Sequence, residues 1–116
     1  LDDQSDALTV DLLRQVFRGL EQWRLAYAAD TSLQTVVNDG IEWNILDVER
    51  LYAASQRLLT VRQAQAIKLF LVGNMRESDV AVAMGIKPSN PIGLYATEGL
   101  HQLIEMVAAR FISSVL

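Results

Sequence analysis

The side chains with the greatest chemical reach lie between Arg62 and Gln102. Arg62, Arg76 and Lys87 are cationic, and Ser89, Asn90, Tyr95, Thr97, His101 and Gln102 follow as hydrogen-bonding groups. Cations of this kind neutralise phosphates, amides pair with the edge of adenine, and hydroxyls serve either purpose. On a suitably folded scaffold the set could meet double-stranded DNA; a solvated surface is the plainer reading of Arg62, Arg76 and Lys87. The set lacks one common device: no Arg or Lys lies between Lys87 and Arg110, so the segment after Pro91 offers no bidentate guanine contact.

Positioning these groups requires helices, and the local signals place them. Thr60-Val61-Arg62-Gln63 matches a capping box, in which the threonine hydroxyl takes the Gln63 amide and the glutamine reaches back. A helix is therefore expected over Val61–Val72, with Ala64, Ile67 and Leu71 on one strip and Leu69 and Phe70 beside it. Gly73-Asn74 should end it, because both residues tolerate the left-handed conformation. Arg76-Glu77-Ser78-Asp79 opens a short helix over Glu77–Met84, its acids favoured at the N-terminus. Ala81 stands four before Gly85, a spacing that lets two helices pack closely across a sharp turn. Lys87-Pro88-Ser89-Asn90-Pro91 forms the turn, with Asn90 as cap and Pro91 at the first position of a helix reaching Ser113. Ile92, Ala96, Leu100, Leu103, Ile104 and Val107 give that helix its apolar face. Gly93 and Gly99 weaken it by about 1 kcal/mol each, which implies close helix packing or close approach of a ligand. The unit reads as a helix-turn-helix whose last helix does the recognising.

Upstream, Leu12, Val16, Leu20, Trp23 and Tyr27 recur at helical spacing and predict one helix over Thr9–Ala29. Asp30 to Asn44 is rich in turn formers and reads as a connector with one short turn near Leu33–Val37; Asp39-Gly40 closing a small hairpin is the lesser alternative. A further helix should span Ile45–Arg57, capped by Asn44 or Asp47. The expected architecture is all-α, with about five helices. An acidic N-terminal helical region (1–58) packs on a C-terminal helix-turn-helix (59–116).

Leu59-Thr60-Val61-Arg62-Gln63-Ala64-Gln65-Ala66-Ile67-Lys68-Leu69, then Glu77-Ser78-Asp79-Val80-Ala81 and Met84-Gly85-Ile86, resembles the fourth conserved region of bacterial sigma factors. Gly99-Leu100 and Leu103 are similar to the close of that family's recognition helix. The resemblance covers the C-terminal half and implies a DNA-reading fold that works with RNA polymerase. The acidic chain with Trp43 and Leu51-Tyr52 ahead of the motif also looks like small helix-turn-helix proteins of actinobacterial phages. The likeness has two departures. Gly85 to Ile92 is one residue longer than in the family, with two prolines inside it, and the last helix lacks the family's basic residues.

Charge narrows the reading. The formal net charge of the 116 residues is −4, whereas a self-sufficient DNA-binding domain has a basic face. Asp2, Asp3, Asp6, Asp11, Glu21, Asp30, Asp39, Glu42, Asp47 and Glu49 crowd the first fifty residues. From Leu51 onward Glu77, Asp79, Glu98 and Glu105 face Arg57, Arg62, Lys68, Arg76, Lys87 and Arg110, so the second half is mildly basic. A transcription regulator built this way needs a helper, either a homodimer or RNA polymerase. The rival is a protein-interaction module on the same scaffold that binds polymerase or another regulator without reading DNA. The end of the chain, Val107, Phe111, Ile112, Val115 and Leu116, and the helix of Val16 and Trp23 are candidate interfaces, more simply read as core.

Other functions find no support in the sequence. There is no cysteine, and therefore no disulfide framework, zinc finger or thiol chemistry. His101 is a lone histidine beside Glu98 and Glu105, a surface ion pair or hydrogen bond rather than a metal site. Phosphate loops, nucleophile elbows and paired acid–base groups are absent, so neither an enzyme nor a cofactor is expected. Trp23, Trp43, Met75 and Met84 read as packing residues. No apolar run approaches the roughly 20 residues that span a bilayer, and the chain opens on acids, so a cytoplasmic protein without a membrane partner is expected.

Overall fold

The computed structural model describes the backbone of residues 9–38 and 40–115, with side chains over 9–37 and 40–106. The protein is mostly helical, with six helices and one two-stranded sheet among the described residues. No helix among the described residues is long and apolar enough to cross a membrane.

The expected first helix is two. α1 (Val10–Arg18) is capped by the Thr9 hydroxyl, and α2 (Leu20–Ala29) starts after a break at Gly19. The Gly19 amide is shared between the Gln15 and Val16 carbonyls at 3.2 Å each. Glycine holds a helix weakly, and turning the chain there buries Leu20 completely and lets the Trp23 indole donate to the Leu33 carbonyl.

The connector forms a hairpin, the lesser of the two alternatives its residues offer. β1 (Thr35–Asn38) pairs antiparallel with β2 (Ile41–Asn44), with Val36 opposite Trp43 and Val37 opposite Glu42. Gly40 takes a positive φ of 76°, as a two-residue hairpin turn requires. Four-residue strands are too short for a period of two to show in the sequence. The burial of Trp43, 2% exposed, supplies what the pattern does not, although its indole N–H finds no partner among the described residues.

α3 (Ile45–Leu58) is capped by Asn44, whose side chain takes the Leu46 amide at 2.8 Å. α4 opens on the expected capping box and is α-helical over Val61–Ala66 but π-helical over Ile67–Val72. The wider turn carries Ile67, Leu71 and Val72 all into the core. Of the terminating pair only Asn74 is left-handed, with φ 54°. Gly73 is needed for space instead, since a Cβ there would lie 2.8 Å from the Leu69 carbonyl oxygen.

α5 (Glu77–Met84) ends at Gly85, φ 72°, as its sequence predicts. α6 (Ile92–Val115) begins one residue later than expected. The Pro91 carbonyl accepts from Tyr95 at 3.0 Å, so proline occupies the cap position, and Asn90 caps nothing. Ile92, Ala96, Leu100 and Leu103 bury the inner face of α6 in a core shared with Leu13 and Phe17 of α1, Trp43 of β2, Val48 of α3 and Ile67 and Leu71 of α4. Val16 belongs to this core. The side chains of Val107, Phe111, Ile112, Val115 and Leu116 lie outside the described residues.

Candidate nucleic-acid interface

The start of α4 and the start of α6 meet at one exposed corner. Arg62, in the first turn of α4, donates to the Tyr95 hydroxyl at 3.1 Å, and its guanidinium lies 5.6 Å from the tyrosine ring centre. The Tyr95 hydroxyl donates to Asn90 Oδ1 at 2.9 Å, and Asn90 Nδ2 donates to the Lys87 carbonyl at 2.9 Å. Four of the residues expected to contact DNA therefore form one chain of hydrogen bonds. The Lys87 and Ser89 side chains stand exposed beside it. Among the described residues this arrangement leaves the Arg62 charge without a carboxylate while fixing its direction, which suits an incoming anion. It also occupies both amide atoms of Asn90, so adenine could be read by Asn90 only if the chain opens.

The other expected contacts are dispersed. Arg76 is 84% exposed and paired with Asp79 at 3.2 Å, one turn into α5. Thr97 accepts from Arg14 of α1 at 2.9 Å, while Arg14 also holds Asp11 at 2.6 Å. Thr97 and His101 line the groove between α1 and α6, away from Tyr95. Gln102 is exposed two turns beyond Tyr95 on the same stripe.

No family model matches the chain, nor does any curated protein or solved structure. The chemistry of the corner therefore rests on its own geometry.

Two features of that geometry were not legible from residue order. The Glu77 carboxylate, at the head of α5, accepts the Gly93 amide at 3.0 Å and so caps α6 from a neighbouring helix. Its acidity signalled only its own helix terminus. The second feature is the partnership of Arg14 with Thr97, 83 residues apart in sequence. Of the two glycines of α6 only Gly99 answers to packing: a Cβ there would stand 3.1–3.2 Å from Ile67, Gln63 and Leu59 side-chain atoms. At Gly93 the nearest atom would be Glu77 Oε2, at an ordinary 3.5 Å. Along the outward face of α6, Leu94, Glu98, Gln102, Glu105 and Met106 are exposed, a surface both acidic and apolar.

Proposed function

We propose that this chain is a transcription-associated helix-turn-helix module that touches duplex DNA at the corner between α4 and α6 and depends on a second body for useful affinity. The observation that carries this reading is the connected set Arg62, Tyr95, Asn90 and Lys87. It holds a guanidinium that meets no carboxylate among the described residues and an exposed ammonium at the head of the helix that a helix-turn-helix inserts into the major groove. The sigma-like order of residues from Leu59 to Ile86 supports the same assignment, with RNA polymerase or a homodimer as the second body.

The expected magnitude follows from charge. With two or three phosphates neutralised by Arg62, Lys87 and Arg76, log affinity should fall with log salt at a slope of about −2 to −3. Between 50 and 200 mM salt that is a loss of about 10- to 50-fold, far below that of a regulator making many phosphate contacts. The test is fluorescence anisotropy with genomic fragments across this salt range, run beside pull-down with RNA polymerase.

A second reading has its own observation. The Glu77 carboxylate occupies the Gly93 amide at the head of α6, and Glu98 and Glu105 are exposed along the same helix. These charges repel a DNA backbone and favour a protein-interaction module that docks on polymerase or another regulator. No anisotropy change at the lowest salt, with a stable polymerase complex, selects this reading and removes the first.

A further inference from the structure

β1 is an edge strand with unused backbone. The Ile45 amide donates to the Gln34 carbonyl at 2.8 Å, and the two-residue connection closes on the Asn38–Ile41 pair. Alternation along an antiparallel ladder then makes Val36–Trp43 a hydrogen-bonded pair and turns the amides and carbonyls of Thr35 and Val37 away from β2. Among the described residues no hydrogen bond reaches those four groups. A groove of about 200 Å³ runs beside this edge, lined by Gln15, Val16, Gly19, Trp23, Val36 and Val37. Val36 is 43% and Val37 68% exposed.

The groove lining carries no charged side chain, although the N-terminal half is otherwise acidic. An occupant that matches it is uncharged, extended, apolar at its centre and open along one edge. Thr35-Val36-Val37-Asn38 itself meets every requirement. It also lacks the lysine, proline or bulge that keeps edge strands apart.

We propose that β1 pairs antiparallel with β1 of a second copy about a two-fold axis at Val36, joining two hairpins into a four-stranded sheet. Thr35 of each copy faces Val37 of the other, and about four hydrogen bonds form from the four unused groups on each edge. Val36 meets Val36 over the groove floor of Val16, Gly19 and Trp23. The nearest like charges on the sheet, the two Glu42 side chains, stand about three strand spacings or roughly 14 Å apart. That exceeds the screening length of about 8 Å at physiological salt, so the acidic halves can approach here. The dimer does not rest on the DNA reading, though it would supply the second body which that reading requires.

The experiment is sedimentation equilibrium of the full chain from about 1 to about 200 µM, with amide hydrogen exchange at both ends of the range. So short an edge should give a dimer with Kd on the order of tens of µM. Val37→Pro, which removes an edge donor without touching the β1–β2 ladder, should weaken it by at least about tenfold. Rising concentration should protect the Thr35 and Val37 amides but leave Val36, already bonded to β2, unchanged. A chain that stays monomeric at about 200 µM overturns the proposal. So does a dimer that leaves the Thr35 and Val37 amides unprotected. If Val37→Pro disturbs the hairpin, exchange on the unaltered chain decides alone. A dimer that binds no DNA would leave this interface standing and remove the DNA reading; DNA binding by a strict monomer would do the reverse.

Discussion

Two arginines in this protein lie over tyrosine rings at nearly the same distance, and they are not equivalent. Arg24 sits 5.4 Å from the Tyr52 ring centre and Arg62 5.6 Å from that of Tyr95. Arg24 is also clamped by Glu49, its two nitrogens 2.6 and 2.7 Å from the two carboxylate oxygens, with both side chains about one-third exposed. That bond holds the guanidinium charged, and the Arg24 pKa is raised chiefly by it. Arg62 has a phenol where Arg24 has a carboxylate. A bidentate pair neutralises its charge and ties α2 to α3, whereas a guanidinium resting on a hydroxyl and a ring keeps its charge available. The first arrangement is suited to holding the fold together, the second to meeting a ligand.

The comparison can be broken most directly by reversing charge at the corner. Arg62→Glu with Lys87→Glu should lower DNA affinity by at least about 50-fold at low salt, nearly equally for all sequences, and flatten the salt slope by about 2. Thermal stability should hardly move, because both side chains are exposed. A variant that keeps the slope would show that other groups meet the phosphates.

Arg24→Ala should show the opposite pattern. With allowance for solvent screening of a partly exposed pair, it should cost about 1 to 2 kcal/mol, or several degrees in Tm, and leave any salt-dependent binding intact. Arg24→Lys should recover only part of the loss, since lysine cannot make the fork. Calorimetry that finds Arg62→Ala as destabilising as Arg24→Ala would erase the distinction.

A smaller effect is expected at Tyr95. Tyr95→Phe keeps the ring under Arg62 but removes both hydroxyl bonds, so affinity should fall only by about two- to fivefold. It should also free Asn90 and shift preference among A·T-containing sites, a change that selection from random duplexes would reveal. Charge changes at Arg76 should not alter preference.

The smallest signal lies in the alkaline range. Burial holds the Tyr52 phenol above its ordinary pKa, opposed by the nearby Arg24 charge. In the unfolded chain the phenol ionises near pH 10, while in the fold it keeps its proton to higher pH. Stability from this group is therefore complete below about pH 10 and declines as pH rises toward the folded value. Absorbance of ionised tyrosine should show one phenol titrating late, and Arg24→Ala should delay it further.

Helix ends settled by neighbours three or four positions away were legible from residue order. The Thr60–Gln63 box, the Asn44 cap and the Gly85 terminator each complete their hydrogen bonds locally. Elements that depend on distant burial were not. The break at Gly19, the choice of a hairpin over a plain connector before Trp43 and the π-helical turn each arise because a side chain must reach a core assembled from both halves of the chain. The candidate contacts divide in the same way. Arg62, Lys87, Asn90 and Tyr95 meet, while Thr97 and His101 turn toward α1. Helical periodicity sets Thr97 about 200° around α6 from Tyr95, so their separation was implicit in the sequence. What lay opposite Thr97 was not.

Residue order by itself determined where cations, amides and hydroxyls stand along the chain and where most helices begin and end, because these depend on side-chain type and on bonds within one turn. Tertiary structure alone decided which groups are spent and which are free. Glu77 takes the Gly93 amide, Asn90 is held by Tyr95 and Lys87, and Arg62 meets no carboxylate among the described residues. Those outcomes depend on distances between helices, and only the packing of a shared core sets them.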